Sequence, residues 1–525
     1  MKLYVNAAFI TCEEDNNVYN AMVEHKGFIK WIGNEEDLPP QYAKAQRIDL
    51  KGATVTPAFG DTHMHFGSLC VFKNTFFVND ACNFDEAAEA VRKYAESHKK
   101  SRILMGYGTT AHTVEEKRLP VKADLDKWSD RPLIIMKYDG HAAVCNSAMM
   151  ALLSDKVKAD PGCDEENGWL YQNAYYDGVN EATAFIPTMD IIRGLAGGAD
   201  YLASQGIGLV HTVEGVGFAN DLDVDMIKLL APALPQAYRI FFQTMDLKAV
   251  KKHGFKRVGG CFKLALDGCF GSEDAALLEP YANNSENKGV LNYTQEQVNA
   301  FAIGANRESW QITMHAIGDA AVEQCITAYE AAYADKPWED ARHIMIHVCL
   351  ASKEQLERAA KIGLCIAAQS PFIYWREEPD EYLCSILGRE RTDSLNALGT
   401  MHRLGLVVGD GSDGPCTLPK PLRGMHCSVN HPNPEERLTR FQALRMITAN
   451  PAYISHEENL RGTLTAGKIA DFVVLGENPL ISPDIENIEI KALYLHGKKY
   501  VSKKIGVPGL LRRAVTNRIF FKRFK

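Results

Sequence analysis

The chain has 525 residues, and its 58 Lys and Arg against 66 Asp and Glu give a formal charge of −8 at pH 7. Hydrophobic residues make up 46% and charged residues 24%, which is ordinary for a globular protein and excludes disorder, collagen and a small disulfide-rich scaffold. The mild acidity argues against nucleic-acid binding, which needs a basic face. The length leaves room for one barrel of roughly 250 residues or more with additional units.

Thirteen cysteines, an odd number, are scattered through the chain without a Cys-x-x-Cys pair. This distribution argues against a disulfide framework or a zinc ribbon, and it favours a reducing compartment. The amino terminus lacks the apolar run of a signal peptide, and no run of roughly eighteen apolar residues predicts a membrane span. We therefore expect a cytoplasmic protein without a transmembrane segment.

Short strands separated by turn residues fill residues 1–55, and similar short strands return in 460–502. We expect these two ends to meet in one small β-sandwich. Between them, short apolar runs alternate with amphipathic stretches, a pattern that predicts βα units and a distorted (β/α)₈ TIM barrel over 56–459. The eight predicted barrel strands lie at 54–57, 207–213, 239–243, 261–266, 311–314, 343–347, 364–368 and 406–408.

About 140 residues separate the first two of these strands, and they contain strand-like runs and amphipathic stretches of their own. A structureless loop of that length would be unusual in a compact domain. We therefore predict an inserted subdomain over about 67–200, near the mouth of the barrel.

Residues 503–525 form a basic tail, in which lysines and arginines without any acid are interleaved with apolar residues. A tail of this kind can make a peripheral contact with an anionic membrane surface. The alternative, which we favour, is that it packs on the acidic body of the protein or on a second subunit.

His63 and His65 follow the first predicted strand. In an extended segment residues i and i+2 point the same way, so both imidazoles can face one metal ion. Alone, a His-x-His pair is more often two surface or satisfied histidines.

Further ionisable residues fall at or near the carboxyl ends of other predicted strands. Lys263 lies in the fourth strand, His315 follows the fifth, His347 ends the sixth and Asp413 follows the eighth. Barrel enzymes keep their active sites at that end of the barrel. Because burying these groups separately would be costly, their convergence on a metal ion is the better explanation.

Six segments then carry a resemblance to a known family. They are PAFGDTHMH at 57–65, KLALDGCFGSEDAALLEPY at 263–281, HAIGDAAV at 315–322, RHIMIH at 342–347, GSDGP at 411–415 and GTLTAGKIADFVVL at 462–475. In this order they resemble the amidohydrolase superfamily of metal-dependent hydrolases, and specifically the YtcJ-like branch of amidohydrolase family 3. The resemblance extends over nearly the whole chain except the basic tail.

The resemblance implies a distorted barrel, a flanking urease-type β-sandwich and one or two divalent metal ions, usually Zn²⁺. His63 and His65 would hold the first ion, and His315 and His347 the second. Lys263, as its carbamate (carboxylysine), would bridge the two ions. The alternative for Lys263 is a barrel lysine paired with a carboxylate.

A metal ion at such a site would activate a water molecule and polarise the scissile carbonyl. Asp413, also a predicted ligand, would take the proton of that water and deliver it to the leaving amine, unless it is merely a turn aspartate. His141 resembles a family histidine of the insertion and would contact the substrate, polarising its carbonyl. Glu214, at the end of the second strand, is a further candidate for substrate binding. For both residues a satisfied polar side chain is the alternative.

Two departures from the family pattern are informative. Ile346 stands where family members usually have Glu, which removes an expected partner of His347. Gly318, followed by Asp319, stands where related deaminases have Glu. This second departure makes deamination less favoured than amide hydrolysis.

We therefore expect a metal-dependent amidohydrolase that cleaves a C–N bond, other than a peptide bond, in a small amide, N-acyl, N-formyl or cyclic amide. The alternatives are a hydrolytic deaminase of an aminated heterocycle and a non-catalytic metal-binding sensor or scaffold. We expect a homodimer, while the substrate is left open because loops and the insertion set specificity.

Overall fold

The computed structural model describes residues 1–14, 17–73, 75–218, 221–502 and 506–522, except for the side chains of 262 and 518–522. Four strands open the chain, and they are β1 Lys2–Ile10, β2 Val18–His25, β3 Phe28–Gly33 and β4 Gln46–Pro57. A fifth strand, β5 Phe59–Met64, follows β4 after a single residue and belongs to a different sheet.

An inserted unit then precedes the second barrel strand. Its elements are α1 Phe66–Phe72, β6 Phe76–Phe77, α2 Phe84–Ser97, β7 Leu104–Thr109, α3 Lys122–Trp128, β8 Leu133–Lys137, β9 Ala142–Cys145, α4 Ser147–Met150, α5 Asp155–Lys158, β10 Cys163–Asp164, β11 Trp169–Tyr171, α6 Gln172–Thr183 and α7 Thr188–Ser204. Its six strands form one sheet in the order β10-β11-β9-β8-β7-β6. The predicted insertion is therefore organised around a sheet of its own, with a small apolar core under α2 and α3.

The remaining barrel strands are β12 Ile207–Glu214, β13 Ala237–Phe242, β14 Arg257–Ala265, β15 Gln311–Ala316, β16 Ile344–His347, β17 Cys365–Ala368 and β18 Val407–Asp410. The helices among and after them are α8 Leu222–Leu230, α9 Leu247–His253, α10 Gln295–Arg307, α11 Asp319–Asp335, α12 Lys353–Lys361, α13 Asp380–Leu387, α14 Arg389–Asp393, α15 Leu398–Arg403, α16 Pro421–Val429, α17 Arg440–Met446 and α18 Ala449–Ile454.

Eight parallel strands form the central sheet, in the order β18-β17-β16-β15-β14-β13-β12-β5. The two outer strands, β18 and β5, approach each other closely. A Cβ added at Gly409 of β18 would lie only 2.3 Å from the side chain of Thr62 in β5. The sheet is thus a nearly closed, distorted TIM barrel, and this predicted fold class is confirmed.

The first predicted barrel strand was misplaced. Residues 54–57 are the end of β4, which pairs with β1 in parallel and with a carboxyl-terminal strand on its other side. The barrel instead begins with β5, which contains His63. Only Ala58 separates β4 from β5, although the two strands belong to different sheets. Because the chain stays extended through both strands, an apolar pattern cannot show the boundary between them.

The two chain ends meet in a seven-stranded sheet. The carboxyl-terminal part contributes β19 Phe472–Leu475, β20 Ile490–Leu495 and β21 Lys498–Lys499, and the order is β21-β20-β19-β4-β1-β2-β3. The fully buried ring of Phe472 stacks on Tyr494, with centroids 4.4 Å apart, and packs edge-on against Tyr4 at 5.2 Å. The aromatic contacts therefore join residues from opposite ends of the sequence.

The chain ends in helix α19, Val507–Lys522, which packs against the protein body. Leu510 and Ala514 are buried, and the amide Nδ2 of Asn517 donates a 2.7 Å hydrogen bond to the carbonyl oxygen of Pro232. Part of the tail therefore packs on the protein body, whereas the basic residues 503, 504, 523 and 525 and the side chains of 518 and 522 lie outside the described part of the chain. Within the described residues, every helix is too short or too polar to cross a bilayer.

None of the thirteen cysteines, all of which lie in the described residues, forms a disulfide bond. Most of them are buried, where they act as small apolar side chains.

Replacing Phe472 with Ala is expected to lower the free energy of unfolding by about 3–5 kcal/mol, because it leaves a cavity in the contact between the two chain ends. Urea unfolding followed by tryptophan fluorescence and circular dichroism would measure this loss. The control is Ile481→Ala, whose side chain is 77% exposed and whose removal should change stability little. Equal midpoints for the two variants would contradict the role of Phe472.

Candidate metal centre

Ionisable side chains converge at the carboxyl ends of the barrel strands. The structure brings together five of the six predicted metal ligands, all of them buried, and they are His63, His65, His315, His347 and Asp413. Parallel strands that close into a barrel place the residues at their carboxyl ends around one mouth, so ligands distant in sequence become neighbours.

Asp413 stands at the centre of this group. Its Oδ1 atom lies 3.0 Å from Nε2 of His63 and 3.3 Å from Nε2 of His65. The thiol of Cys261 joins His63, His65 and Asp413 in a group of four, with Sγ 3.0 Å from Nε2 of His63. One donor atom from each of these four residues lies within 4.8 Å of the other three.

His347 and His315 form the adjoining side of the centre. Their ring centroids are 4.6 Å apart, and the ring of His347 lies 5.6 Å from that of His63. Nδ1 of His347 is 2.5 Å from Oε1 of Gln369, and Nδ1 of His315 is 3.2 Å from Oδ1 of Asp267. The hydrogen bond to Gln369 orients His347 and leaves its other ring nitrogen available to a metal, whereas Nδ1 of His315 makes no hydrogen bond with the described residues.

Backbone hydrogen bonds hold the first and last strand ends together. The amide of Asp413 donates to the carbonyl of His63, and the amide of His65 donates to the carbonyl of Gly414, each at 2.8 Å. The buried carboxyl of Asp61 accepts from the amides of both His63 and Ser412 at 3.2 Å. These bonds fix His63, His65 and Asp413 relative to one another.

The electrostatics favour coordination. Burial lowers the pKa of His63 and that of His347, so both rings are neutral at pH 7 and each has a lone pair to offer. Burial alone would raise the pKa of Asp413, but the adjacent rings of His63 and His65 outweigh it and hold that pKa well below its usual range. The aspartate is therefore an anion beside the neutral ring of His63.

The residues present fit a divalent metal ion. Oδ1 of Asp413 is buried and, although two ring nitrogens are close, it accepts no well-oriented hydrogen bond from any residue that the structure describes. Such an orphaned anionic oxygen is costly unless a cation completes its surroundings. Two imidazoles, a thiol and a carboxylate are also the donors that Zn²⁺ takes in proteins.

The structure does not bring Lys263 to the centre. Its side chain is 46% exposed, and Nζ lies 3.3 Å from Oδ1 of Asp221, which is the alternative of a lysine paired with a carboxylate. The register between β14 and β15 shifts between Gly260 and Ala265, so the period-two alternation is broken and Cys261, not Lys263, faces the barrel interior. This corrects the expectation that a carbamate of Lys263 bridges two ions.

A glycine permits this irregularity. Gly259 has φ +107°, and a Cβ at that position would come within 1.8 Å of the carbonyl oxygen of Thr313 in β15. Only glycine tolerates both conditions, and the register shift of β14 begins one residue later, after Gly260.

Glu214 is also displaced from the expected role. Its buried carboxyl accepts hydrogen bonds from the amide of Gly67 and the hydroxyl of Thr212, and it is not among the described residues that line the cavity. It therefore supports the start of α1 rather than contacting a substrate.

A cavity of about 470 Å³ opens above the centre. His141 lies in its wall, with its ring centroid 6.1 Å from that of His315, as its predicted role near the substrate requires. A second cavity of about 440 Å³ adjoins the first and shares His65 and Cys416 with it.

Comparisons with known proteins agree with this geometry. The model of the amidohydrolase family matches residues 46–500. The chain belongs to the amidohydrolase family. YtcJ of Bacillus subtilis (strain 168), an amidohydrolase by name, is 26% identical over 95% of this chain and 99% of its own length. The N-substituted formamide deformylase of Arthrobacter pascens is 22% identical over 94% of this chain and 97% of its own length.

Solved structures share the fold. An uncharacterized metal-dependent hydrolase from Pyrococcus furiosus superposes with a TM-score of 0.73 and 25% identity, covering 91% of this chain and 99% of that one. A second, from Pyrococcus horikoshii OT3, gives a TM-score of 0.76 with 21% identity over 92% of this chain and 99% of that one. The architecture is therefore that of amidohydrolase barrels.

Sequence reasoning missed three residues of this amidohydrolase centre. Cys261 lies two residues before Lys263 in the same strand, so strict alternation could have pointed to it as an equal candidate. Gln369 acts through His347, which it holds, and Asp267 lies beside His315; their positions beyond strand ends carry no signal of this in a single sequence.

We predict that Cys261→Ser weakens Zn²⁺ binding at least about tenfold, because a thiolate ligand is lost. Removing a residue that only supports a ligand already lowers metal affinity by about that factor. Elemental analysis and chelator competition on protein purified in metal-free buffer would measure the affinity. Lys263→Ala is the matched control and should bind Zn²⁺ as the wild type does. Loss of zinc in Lys263→Ala with retention in Cys261→Ser would reverse the assignment of the ligand.

Proposed function

We propose that the protein is a metal-dependent hydrolase that cleaves the C–N bond of a small amide, N-acyl, N-formyl or cyclic amide compound. The observation that carries the proposal is the buried group of His63, His65, Cys261 and Asp413, the last three of which line a cavity. The name of the Arthrobacter pascens relative, which refers to removal of formyl groups from substituted formamides, supports this choice of bond.

Zn²⁺ is the metal ion that we infer. Thiol, imidazole and carboxylate donors together suit Zn²⁺ better than Mg²⁺ or Ca²⁺, which prefer oxygen atoms. A divalent ion held there would supply Lewis-acid polarisation of a carbonyl and a water of lowered pKa. His315 and His347 would hold a second ion beside the first, if the centre is binuclear.

Asp413 is the residue that we assign to proton transfer. Its carboxylate lines the cavity, and its backbone adopts φ +53°, held there by the hydrogen bond from its amide to the carbonyl of His63. An anionic carboxylate fixed in this way can accept a proton from water and return it to the departing nitrogen.

His141 is the residue that we assign to the substrate carbonyl. Its backbone amide donates a 3.1 Å hydrogen bond to Oδ1 of Asp139, which fixes the loop that carries it in the cavity wall. A ring N–H at this place can donate a hydrogen bond to the carbonyl oxygen as negative charge develops there.

The geometry gives the deaminase alternative no proton donor at its usual position. Gly318 has no side chain, and its amide donates to Oδ2 of Asp267 at 2.8 Å. The adjacent Asp319 accepts from the amide of Leu278 at 2.9 Å and is not among the described residues lining the cavity. The cytoplasmic location and the homodimer stay predictions from the sequence.

Asp413→Asn is predicted to lower kcat on N-formyl amines by about 10²–10⁴-fold, because the amide cannot transfer the proton. The measurement is amine release from a panel of N-formyl and N-acetyl amines, with zinc content determined on the same samples. Asp319→Asn is the control, since asparagine can still accept the hydrogen bond from Leu278.

Three results would contradict this scheme. Unchanged turnover by Asp413→Asn would remove Asp413 from catalysis. Release of ammonia from aminated heterocycles, without amide cleavage, would favour the deaminase. Full zinc content in the wild type without turnover of any amide in the panel would favour the non-catalytic sensor.

A further inference from the structure

An aromatic wall leads from the metal centre to the other end of the cavity. The ring of Phe372 stacks on His347 at 5.8 Å between centroids, with planes 15° apart. Trp375 stacks on Phe372 at 4.3 Å and 5°, and Tyr138 packs edge-on against Trp375 at 5.1 Å. The wall therefore begins at a candidate metal ligand and offers flat apolar surface to a substrate lying beside it.

The wall ends at the carboxyl group of Glu378, which lines the same cavity. Its Oε1 atom accepts hydrogen bonds from the amide of Gly271 at 3.0 Å and from the hydroxyl of Tyr138 at 3.2 Å. Its Oε2 atom accepts none from any residue that the structure describes. The group is thus anchored through one oxygen, while the other is left for a ligand.

Glu378 also has no cation of its own within the part of the chain that the structure describes. The nearby ammonium of Lys137 is 2.6 Å from Oδ2 of Asp139 and 2.6 Å from Oγ of Ser272, so its hydrogen bonds are directed elsewhere. Burial and the neighbouring carboxylate of Asp139 raise the pKa of Glu378 to about 7. A half-buried carboxylate without a cationic partner gains from a cationic ligand.

We propose that Glu378 determines specificity by binding a protonated amine at the end of the substrate remote from the scissile C–N bond. The substrate class is then a mono-N-acylated diamine with an apolar or aromatic spacer, which would lie along Phe372 and Trp375. This inference rests on the proposed function and adds the chemistry of the amine side.

Kinetics on two matched substrates would test the inference. They are the mono-N-formyl derivative of 1,4-bis(aminomethyl)benzene and N-formyl-4-methylbenzylamine, compared at pH 8, where the carboxyl is ionised and the alkylammonium keeps its proton. The wild type should prefer the charged substrate in kcat/KM by at least about tenfold, mainly through KM. Glu378→Gln should abolish that preference.

Glu377→Gln is the matched control. This neighbouring carboxylate accepts a 3.1 Å hydrogen bond from Asn79 and is not among the described residues that line the cavity. The control should keep the wild-type preference. Hydrolysis of both substrates at equal kcat/KM by the wild type would overturn the role of Glu378 and leave the proposed function intact.

Calorimetric binding separates the two proposals if neither substrate is hydrolysed. The probes are the two formamides themselves, titrated into wild type, Glu378→Gln and Glu377→Gln. Tighter binding of the charged formamide that only Glu378→Gln loses would support the recognition site while the reaction fails. Equal binding of the two formamides by the wild type, or a preference that survives in Glu378→Gln, would overturn the inference.

Discussion

The closure of the barrel between its first and last strands is the constraint on which the rest of the centre depends. Reciprocal backbone hydrogen bonds join residues 63–65 to residues 413–414, and the buried carboxyl of Asp61 binds an amide from each side. Three candidate ligands therefore take their positions from backbone geometry rather than from side-chain flexibility. A metal centre built in this way is pre-organised, because little conformational entropy is left to lose when an ion binds.

The same closure explains how so many ionisable groups tolerate burial. Several polar groups near the centre have partners, such as Gln369 for His347 and the amides of residues 276, 317 and 318 for Asp267. Among the described residues, Oδ1 of Asp413, Nδ1 of His315 and Nε2 of Gln369 are buried without a hydrogen-bond partner. Oδ1 of Asp413 lies where the imidazoles and the thiol of Cys261 meet, which is where a cation would fit.

The sequence was sufficient for the fold class and for most of the centre. Buried parallel strands have continuous apolar sequences. Polar residues at the carboxyl ends of such strands, such as His315 and His347, therefore indicate functional positions. The failures have local causes. The boundary between β4 and β5 is a change of sheet within an extended chain, and the choice between Cys261 and Lys263 depends on a register shift that follows Gly259.

Other parts of the centre depend on contacts that no local pattern encodes. Glu214 lies at a strand end like the ligands, but its oxygen is taken by the amide of Gly67, a residue 147 positions away in sequence. The aromatic wall and Glu378 lie beyond the seventh strand, and only the folded chain shows that Tyr138 of the insertion reaches them.

The seven-stranded sheet has a consequence for synthesis of the protein. Strand β4 pairs with β1 on one side and with β19 on the other, and β19 lies more than four hundred residues later in the chain. At about 5–20 residues per second the ribosome needs tens of seconds to produce that partner. During this interval one edge of β4 stays open in the nascent chain, where it can pair with other strands. The barrel can close before its flanking sheet does, and cotranslational chaperone binding would be most useful at this edge.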